Sequence, residues 1–101
     1  MAIDLESEPP FEVGGAAIDP VSREARYAGG QERLQPQTLK VLIALTRRRN
    51  DVVTRSELVE RCWDGKIIGD DVINRSILML RQFAERAGGF SIKTVPKTGY
   101  R

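Results

Sequence analysis

The sequence has no histidine and only one cysteine among its 101 residues. Without histidine it lacks the side chain that most often acts as a general acid or base near neutral pH, and a principal ligand of common metal sites. The single cysteine, Cys62, cannot form an internal disulfide, which favours a reducing compartment, the cytoplasm. No cofactor, metal ligand or catalytic residue is predicted, and the chain is expected not to be an enzyme.

Long apolar runs are also missing. No stretch approaches the roughly 18 apolar residues that a membrane-spanning helix needs, so no direct membrane contact is expected of this segment. The first ten residues, MAIDLESEPP, are acidic and lack the apolar centre of a signal peptide. They are predicted to form a flexible acidic leader, residues 1–10, ahead of one domain at residues 11–101.

Charge is distributed unevenly along the chain, behind a formal net charge of +2. Residues 1–24 carry one arginine and six acids, a net of −5, whereas residues 25–101 carry fifteen Lys or Arg and eight acids, a net of +7. A basic body favours a polyanionic partner such as nucleic acid. An ordinary solvated surface behind an acidic leader would show the same distribution, so charge alone leaves both interpretations open.

Short apolar pieces separated by turn residues fill the region from Phe11 to about Leu34. The separators are the pairs at 14–15, 19–20 and 29–30, which read Gly-Gly, Asp-Pro and Gly-Gly. Such spacing is typical of short strands joined by tight turns. The sequence therefore predicts a small antiparallel sheet at the start of the domain, and its Gly-Gly pairs are interpreted as turns rather than as phosphate-binding loops.

Two helices are predicted in the middle of the chain. Pro36 suits the first turn of a helix, and the apolar residues of TLKVLIAL follow it at helical spacing. After a short extended piece at residues 52–53, Thr54 and Glu57 form a Thr-x-x-Glu capping box. The second helix is expected to run for about three turns, and Trp63 at its end is interpreted as a core residue.

A third helix is predicted to begin at Asp70 or Asp71 and to end at the Gly-Gly pair 88–89. Its inward stripe consists of Ile73, Ile77, Leu80 and Ala84. After it, FSIKTV alternates like a strand, and PKTG turns the chain into a last strand at Tyr100, which is cut short at Arg101. The predicted fold class is α+β: a winged helix-turn-helix with an N-terminal antiparallel sheet, three helices and a C-terminal β-hairpin wing.

Four segments in this order resemble the OmpR/PhoB-type winged-helix domain, and within it the CadC/ToxR-like branch. They are LQPQTLKVLIAL, VVTRSELVERCW, DDVINRSILMLR and TVPKTGYR, and the resemblance covers residues 11–101. It implies the DNA-binding domain of a bacterial transcriptional regulator. A recognition helix at about 70–86 would enter the major groove of double-stranded DNA, and a wing at about 90–101 would contact the adjacent backbone or minor groove. It also implies a domain trimmed from a longer protein, whose full length can be anchored to the inner membrane.

The resemblance assigns DNA contacts to the exposed face of the third helix and to the wing. By residue type, Asn74 suits adenine and Arg75 suits guanine, although both could equally be ordinary solvated side chains. Arg81 matches an arginine that contacts the DNA backbone in the family. The predicted DNA-binding residues are Asn74, Arg75, Ser76, Leu78, Arg81, Gln82, Lys93, Thr94, Lys97 and Thr98.

Two further partners follow from the resemblance. The loop between the second and third helices contacts RNA polymerase in response regulators, so the loop 63–69, with Lys66, is an expected polymerase contact. A weak homodimer on DNA is also expected, because many relatives bind as tandem dimers on direct repeats.

Leu78 and Met79 depart from the family pattern, because relatives usually carry polar or basic residues at these two positions. Met79 is expected to turn toward the core beside Phe83 and Val72, which leaves Leu78 exposed on the face that would meet DNA. A leucine can contact a thymine methyl group. It can equally contact a protein, and the alternative function is a protein–protein interaction module on a winged-helix scaffold with little DNA affinity.

Overall fold

The computed structural model describes residues 2–48, 51–95 and 99–101. Near the N-terminus it has the predicted antiparallel sheet, with four strands paired in sequence order. Alternate residues of the strands, among them Val13, Ala16 and Ile18, are buried against the helices, as the strand period of two requires. The strands are β1 (Phe11–Val13), β2 (Ala16–Asp19), β3 (Glu24–Tyr27) and β4 (Gly30–Arg33).

Three helices follow the sheet: α1 (Pro36–Arg47), α2 (Arg55–Cys62) and α3 (Asp70–Ala87). The capping box is confirmed, because the side-chain oxygen of Thr54 accepts a hydrogen bond from the Glu57 amide at 3.1 Å. The prediction of three turns for α2 was wrong. The helix has eight residues, about two turns, because Asp64 and Gly65 just beyond it adopt left-handed backbone conformations that end the helical path.

The ends of α3 lie where the sequence predicts them. Gly69 precedes the helix without a side-chain cap, and Asp70 and Asp71 occupy its first turn, where carboxylates interact favourably with the helix dipole. Gly88, with a φ of 77°, ends the helix. The predicted inward stripe of Ile73, Ile77, Leu80 and Ala84 is buried. Phe83, fully buried beside that stripe, contacts the rings of Tyr27 and Phe90.

A second sheet, of three strands, contains the wing. Its strands β5 (Val53–Thr54), β6 (Thr94–Val95) and β7 (Gly99–Tyr100) lie in the order β5-β7-β6. The hairpin of β6 and β7 confirms the predicted wing, while the pairing of β7 with β5 is a feature that the sequence did not predict. The predicted turn at residues 96–98 lies outside the described residues.

Gly99 is required at the centre of this sheet by a close backbone approach. A Cβ atom on Gly99 would lie 2.1 Å from the carbonyl oxygen of Val53 and 2.8 Å from the Cα of Thr54. Such distances are far inside van der Waals contact, so any side chain here would push β5 and β7 apart. The tight pairing holds the wing against the start of α2.

Residues 2–10, predicted as a flexible leader outside the domain, contact it at two places. Ile3 is part of the buried core, and its amide donates a hydrogen bond to the carbonyl of Arg61 at 2.8 Å. After a short 3-10 helix at Leu5–Ser7, Glu8 forms an ion pair with Arg47 at the end of α1. The predicted division at residue 11 therefore does not coincide with a break in packing.

Candidate nucleic-acid interface

The outward face of α3 is polar with one apolar residue at its centre. The helical period puts this face opposite the buried stripe. Leu78 is 55% exposed, as the sequence predicts, and Met79 beside it is half-buried. The other exposed side chains of this face include Asp71, Asn74, Arg75, Gln82 and Glu85.

Ser76 is the predicted contact on α3 that the structure does not place on this face. Its side chain is only 7% exposed and belongs to the buried side of the helix. The reason is its spacing: residue 76 follows Ile73 by three positions and precedes Leu80 by four, and residues so spaced share one helix face.

Arg81 links α3 to the wing. Its Nε donates to the carbonyl of Ile92 at 3.3 Å, and its terminal nitrogen Nη2 donates to the hydroxyl of Thr94. Two residues predicted separately as DNA contacts, Arg81 and Thr94, are thus in direct contact at the edge of the α3 face. These two hydrogen bonds hold the Arg81 guanidinium between α3 and the wing.

Tyr100 is a second link between the wing and α3, and the sequence did not point to it. Its ring is 3% exposed, and its hydroxyl donates to the Oδ1 of Asn74 at 3.3 Å. The guanidinium of Arg55 lies over the same ring at 5.5 Å from the centroid and pairs with Asp70 at 3.3 Å. The alternation of the wing strand could have indicated that Tyr100 faces the helix, but not which residue it meets.

Lys93 lies on the other face of the wing. Lys93 and Arg101 are paired across the hairpin by two backbone hydrogen bonds, of 2.8 and 3.0 Å. Directly opposed residues share a face and successive residues alternate. Because Thr94 and Tyr100 face α3, Lys93 and Arg101 point away from it, toward a groove that they line with Leu42 and other residues of α1 and the β1–β2 turn. Two predicted wing contacts, Lys97 and Thr98, lie outside the described residues.

The C-terminal end of α3 is fixed to the first sheet. Arg86 forms two hydrogen bonds of 2.7 Å with the carboxylate of Glu32, which also accepts one from the hydroxyl of Tyr27. The hydrogen bonds from Arg86 hold the pKa of Glu32 below its ordinary value. The hydrogen bond to Glu32 raises the pKa of Tyr27 in turn. This bidentate contact ties the C-terminal end of α3 to strand β4.

The loop from Trp63 to Gly69 presents an unusual apolar side chain. Ile67 is fully exposed, and Lys66 beside it is exposed as well, while Trp63 is half-buried against the core, as predicted. The loop therefore offers one cation and one aliphatic side chain to solvent.

Among residues 2–48, 51–95 and 99–101, no group of three or more Cys, Asp or Glu is placed to hold a metal ion. No helix in that part of the chain is long and apolar enough to cross a membrane.

The two sheets, the three helices and the polar face of α3 define a winged-helix domain of the OmpR/PhoB type. The chain belongs to the family described as "Transcriptional regulatory protein, C terminal", which matches residues 29–101. Its curated relatives include the transcriptional regulatory protein TcrA of Mycobacterium tuberculosis, which is 34% identical over 92% of this chain and 38% of its own length. The phosphate regulon regulator PhoB of Pseudomonas aeruginosa is 28% identical over 95% of this chain and 42% of its length. The chain thus spans less than half of these relatives.

Among solved structures, the DNA-binding domain of Escherichia coli CadC superposes with a TM-score of 0.81 at 28% identity. The match covers 93% of this chain and 91% of that one. The resemblance to the family, inferred from four short segments, is confirmed by this agreement of sequence and fold.

Proposed function

We propose that this domain binds double-stranded DNA sequence-specifically, as the DNA-binding domain of a bacterial transcriptional regulator. In this proposal α3 enters the major groove and the hairpin of β6 and β7 contacts the adjacent backbone or minor groove. One observation carries it: the polar outward face of α3 is fastened to the wing by the contact of Arg81 with Thr94. The similarity to the CadC DNA-binding domain supports the same conclusion.

The residues of the α3 face divide into two roles. Asn74 and Arg75 lie in the N-terminal half, and their amide and guanidinium groups match the donor and acceptor patterns of adenine and guanine. Leu78 would contact a thymine methyl group. Arg81 and Thr94 suit phosphate, because the arginine is held at the boundary between helix and wing, where a groove wall would lie. The exposed Gln82 is positioned for either role.

The acids at the start of α3 oppose this docking less than the sequence suggests. Asp70 pairs with Arg55 at 3.3 Å, so its charge is partly compensated before DNA arrives. Asp71 remains exposed in the first turn, where the helix dipole favours a carboxylate. The electrostatic potential at the N-terminal end of α3 is thus less negative than two unpaired acids would make it.

Further partners belong to the same proposal. The exposed Lys66 and Ile67 make the loop 63–69 the surface that we propose for RNA polymerase. The domain would act in the cytoplasm without a cofactor. As a single copy it would bind weakly, and it would form a homodimer on DNA.

Fluorescence anisotropy at several salt concentrations tests DNA binding directly. With roughly three to five phosphates neutralised per monomer, log K should fall against log salt with a slope of about −3 to −4.5. Arg81→Ala should weaken binding to every duplex and flatten the slope by about 1. Arg26→Ala, which removes the same charge from the exposed outer face of β3, is the control and should leave the slope unchanged.

Exposed Leu78 favours the second candidate, a protein-interaction module. That function predicts self-association that rises with concentration and a DNA affinity that is weak and insensitive to salt. Equal behaviour of Arg81→Ala and Arg26→Ala, together with a flat salt dependence, would contradict DNA docking and favour this alternative.

A further inference from the structure

We propose that Tyr100 is a positioning residue that orients the carboxamide of Asn74 for base recognition, so that the wing contributes to sequence specificity without touching a base. The inference rests on the proposed DNA binding and deepens it. Its starting point is the hydrogen bond from the Tyr100 hydroxyl to Oδ1 of Asn74, 3.3 Å long, which joins residues 26 positions apart.

The Tyr100 ring is held on several sides. The backbone of Tyr100 lies in the middle strand of the wing sheet, opposite Val53 on one side and Thr94 on the other. The ring is buried, and the guanidinium of Arg55 covers one of its faces. A phenol fixed in this way presents its hydroxyl at one point beside the second turn of α3.

Asn74 is exposed and is otherwise a short, rotatable side chain on a helix surface. A carboxamide has an oxygen that accepts and an NH2 group that donates, and reading a base edge requires the correct end to face each group. In the structure Oδ1 is the end that meets the Tyr100 hydroxyl, which leaves the NH2 group directed away from the wing. The oxygen keeps a second lone pair, so adenine can still be read through N6 and N7.

Orientation before binding has a measurable consequence. A side chain that is already ordered loses less conformational entropy when it meets its base, and it presents the wrong end less often to a wrong base. Removing the hydroxyl alone should therefore reduce discrimination at the base pair that Asn74 reads. Electrostatic attraction to phosphate should not change, because no charge is altered.

The test begins with selection of preferred sites from a random duplex library by the wild-type protein, followed by competition binding with each single base-pair change. Tyr100→Phe keeps the ring, its burial and its contact with Arg55, and it should lower discrimination at one base pair by roughly three- to tenfold, the ratio that one hydrogen bond supports. Asn74→Ala should lower discrimination at the same base pair. The double variant with Tyr100→Phe and Asn74→Ala should lose no more discrimination than Asn74→Ala alone. The slope of log K against log salt should keep its wild-type value in all three variants.

Tyr27→Phe is the matched control, because it removes the hydroxyl of the other tyrosine, which bonds to Glu32 far along the chain from Asn74. It should leave discrimination unchanged. If Tyr100→Phe behaves like Tyr27→Phe while Asn74→Ala loses discrimination, the positioning role is overturned. A uniform loss of affinity for all duplexes on Tyr100→Phe would overturn it too, since that is the effect of a structural role.

A second measurement needs no DNA and tests the inference even if Tyr100→Phe folds poorly. NMR relaxation of the Asn74 side-chain NH2 group in the free wild-type protein should give an order parameter above about 0.6, the value below which groups count as flexible. A freely mobile carboxamide would contradict positioning by Tyr100. Failure of the DNA proposal itself is seen separately, because the wild type would then enrich no sequence from the library.

Discussion

At the scale of single residues, burial lowers the reactivity of the Cys62 thiol. Its side chain is 2% exposed, and burial raises the pKa of the thiol to about 12, although the nearby charges of Lys40 and Arg61 oppose the shift. The thiolate is the reactive form, and little of it exists at such a pKa. At pH 8 we expect iodoacetamide to modify Cys62 at least about a hundredfold more slowly in the folded protein than in urea, as followed by mass spectrometry. Equal rates would contradict the burial.

Gly99 is a second residue of this kind, because the neighbouring backbone leaves no room for a side chain. Gly99→Ala would place a Cβ atom 2.1 Å from the Val53 carbonyl oxygen. We expect it to lower the free energy of unfolding by about 1–3 kcal/mol, the usual cost of overpacking, measured by urea denaturation. Gly29→Ala is the matched control, because its Cβ would meet only the Tyr27 ring at 3.6 Å. Equal stability of the two variants would contradict the close approach of β5 and β7.

At the scale of elements, the contact of Glu32 with Arg86 ties the C-terminal end of α3 to the four-stranded sheet. Replacing Glu32 by Gln should reduce stability by roughly 0.5–1.5 kcal/mol at pH 7, as expected for a partly exposed bidentate pair. Glu24→Gln, which affects the looser pair with Arg26 at 3.7 Å, should cost much less. Both values follow from urea denaturation, and similar losses in the two variants would contradict the special role of Glu32.

The same contact has a pH dependence whose sign follows from the lowered pKa of Glu32. A carboxyl group with a depressed folded pKa stabilises the protein above its ordinary value of 4.5 and loses that contribution as the pH falls below it. The stability difference between wild type and Glu32→Gln should therefore be constant near neutrality and shrink on acidification below about pH 4.5.

Most elements could be predicted because their signals are local. Pro36, the Thr54–Glu57 capping box and the glycines after α3 fix helix ends through neighbouring residues, and the period of α3 separates its buried and exposed faces. Contacts between distant residues have no such signal. The pairing of Val53 with Tyr100 and the hydrogen bond from Tyr100 to Asn74 depend on how the elements pack. The sequence therefore predicts the polar face of α3 but not the contact that Tyr100 makes with Asn74.

At the scale of the whole molecule, the N-terminal segment is part of the packed domain. Ile3 is 4% exposed, and its burial was not predicted because one isoleucine among acids shows no periodicity. Ile3→Ala should lower the free energy of unfolding by about 2–5 kcal/mol, the range for deleting a buried aliphatic side chain. Thermal or urea unfolding gives the value. Val21→Ala, at a position 62% exposed, is the control and should be close to neutral; a neutral Ile3→Ala would mean that the segment does not pack as described.

The central claim is that α3 and the wing together form one DNA-binding surface, and titration of labelled protein with a selected duplex, followed by backbone amide NMR shifts, tests it most directly. We expect the largest changes at residues 74–82 and at Thr94 and its neighbours in the wing, and small changes on the exposed outer face of the four-stranded sheet. Shifts confined to that sheet or to the loop 63–69, or no shifts at duplex excess, would contradict the account.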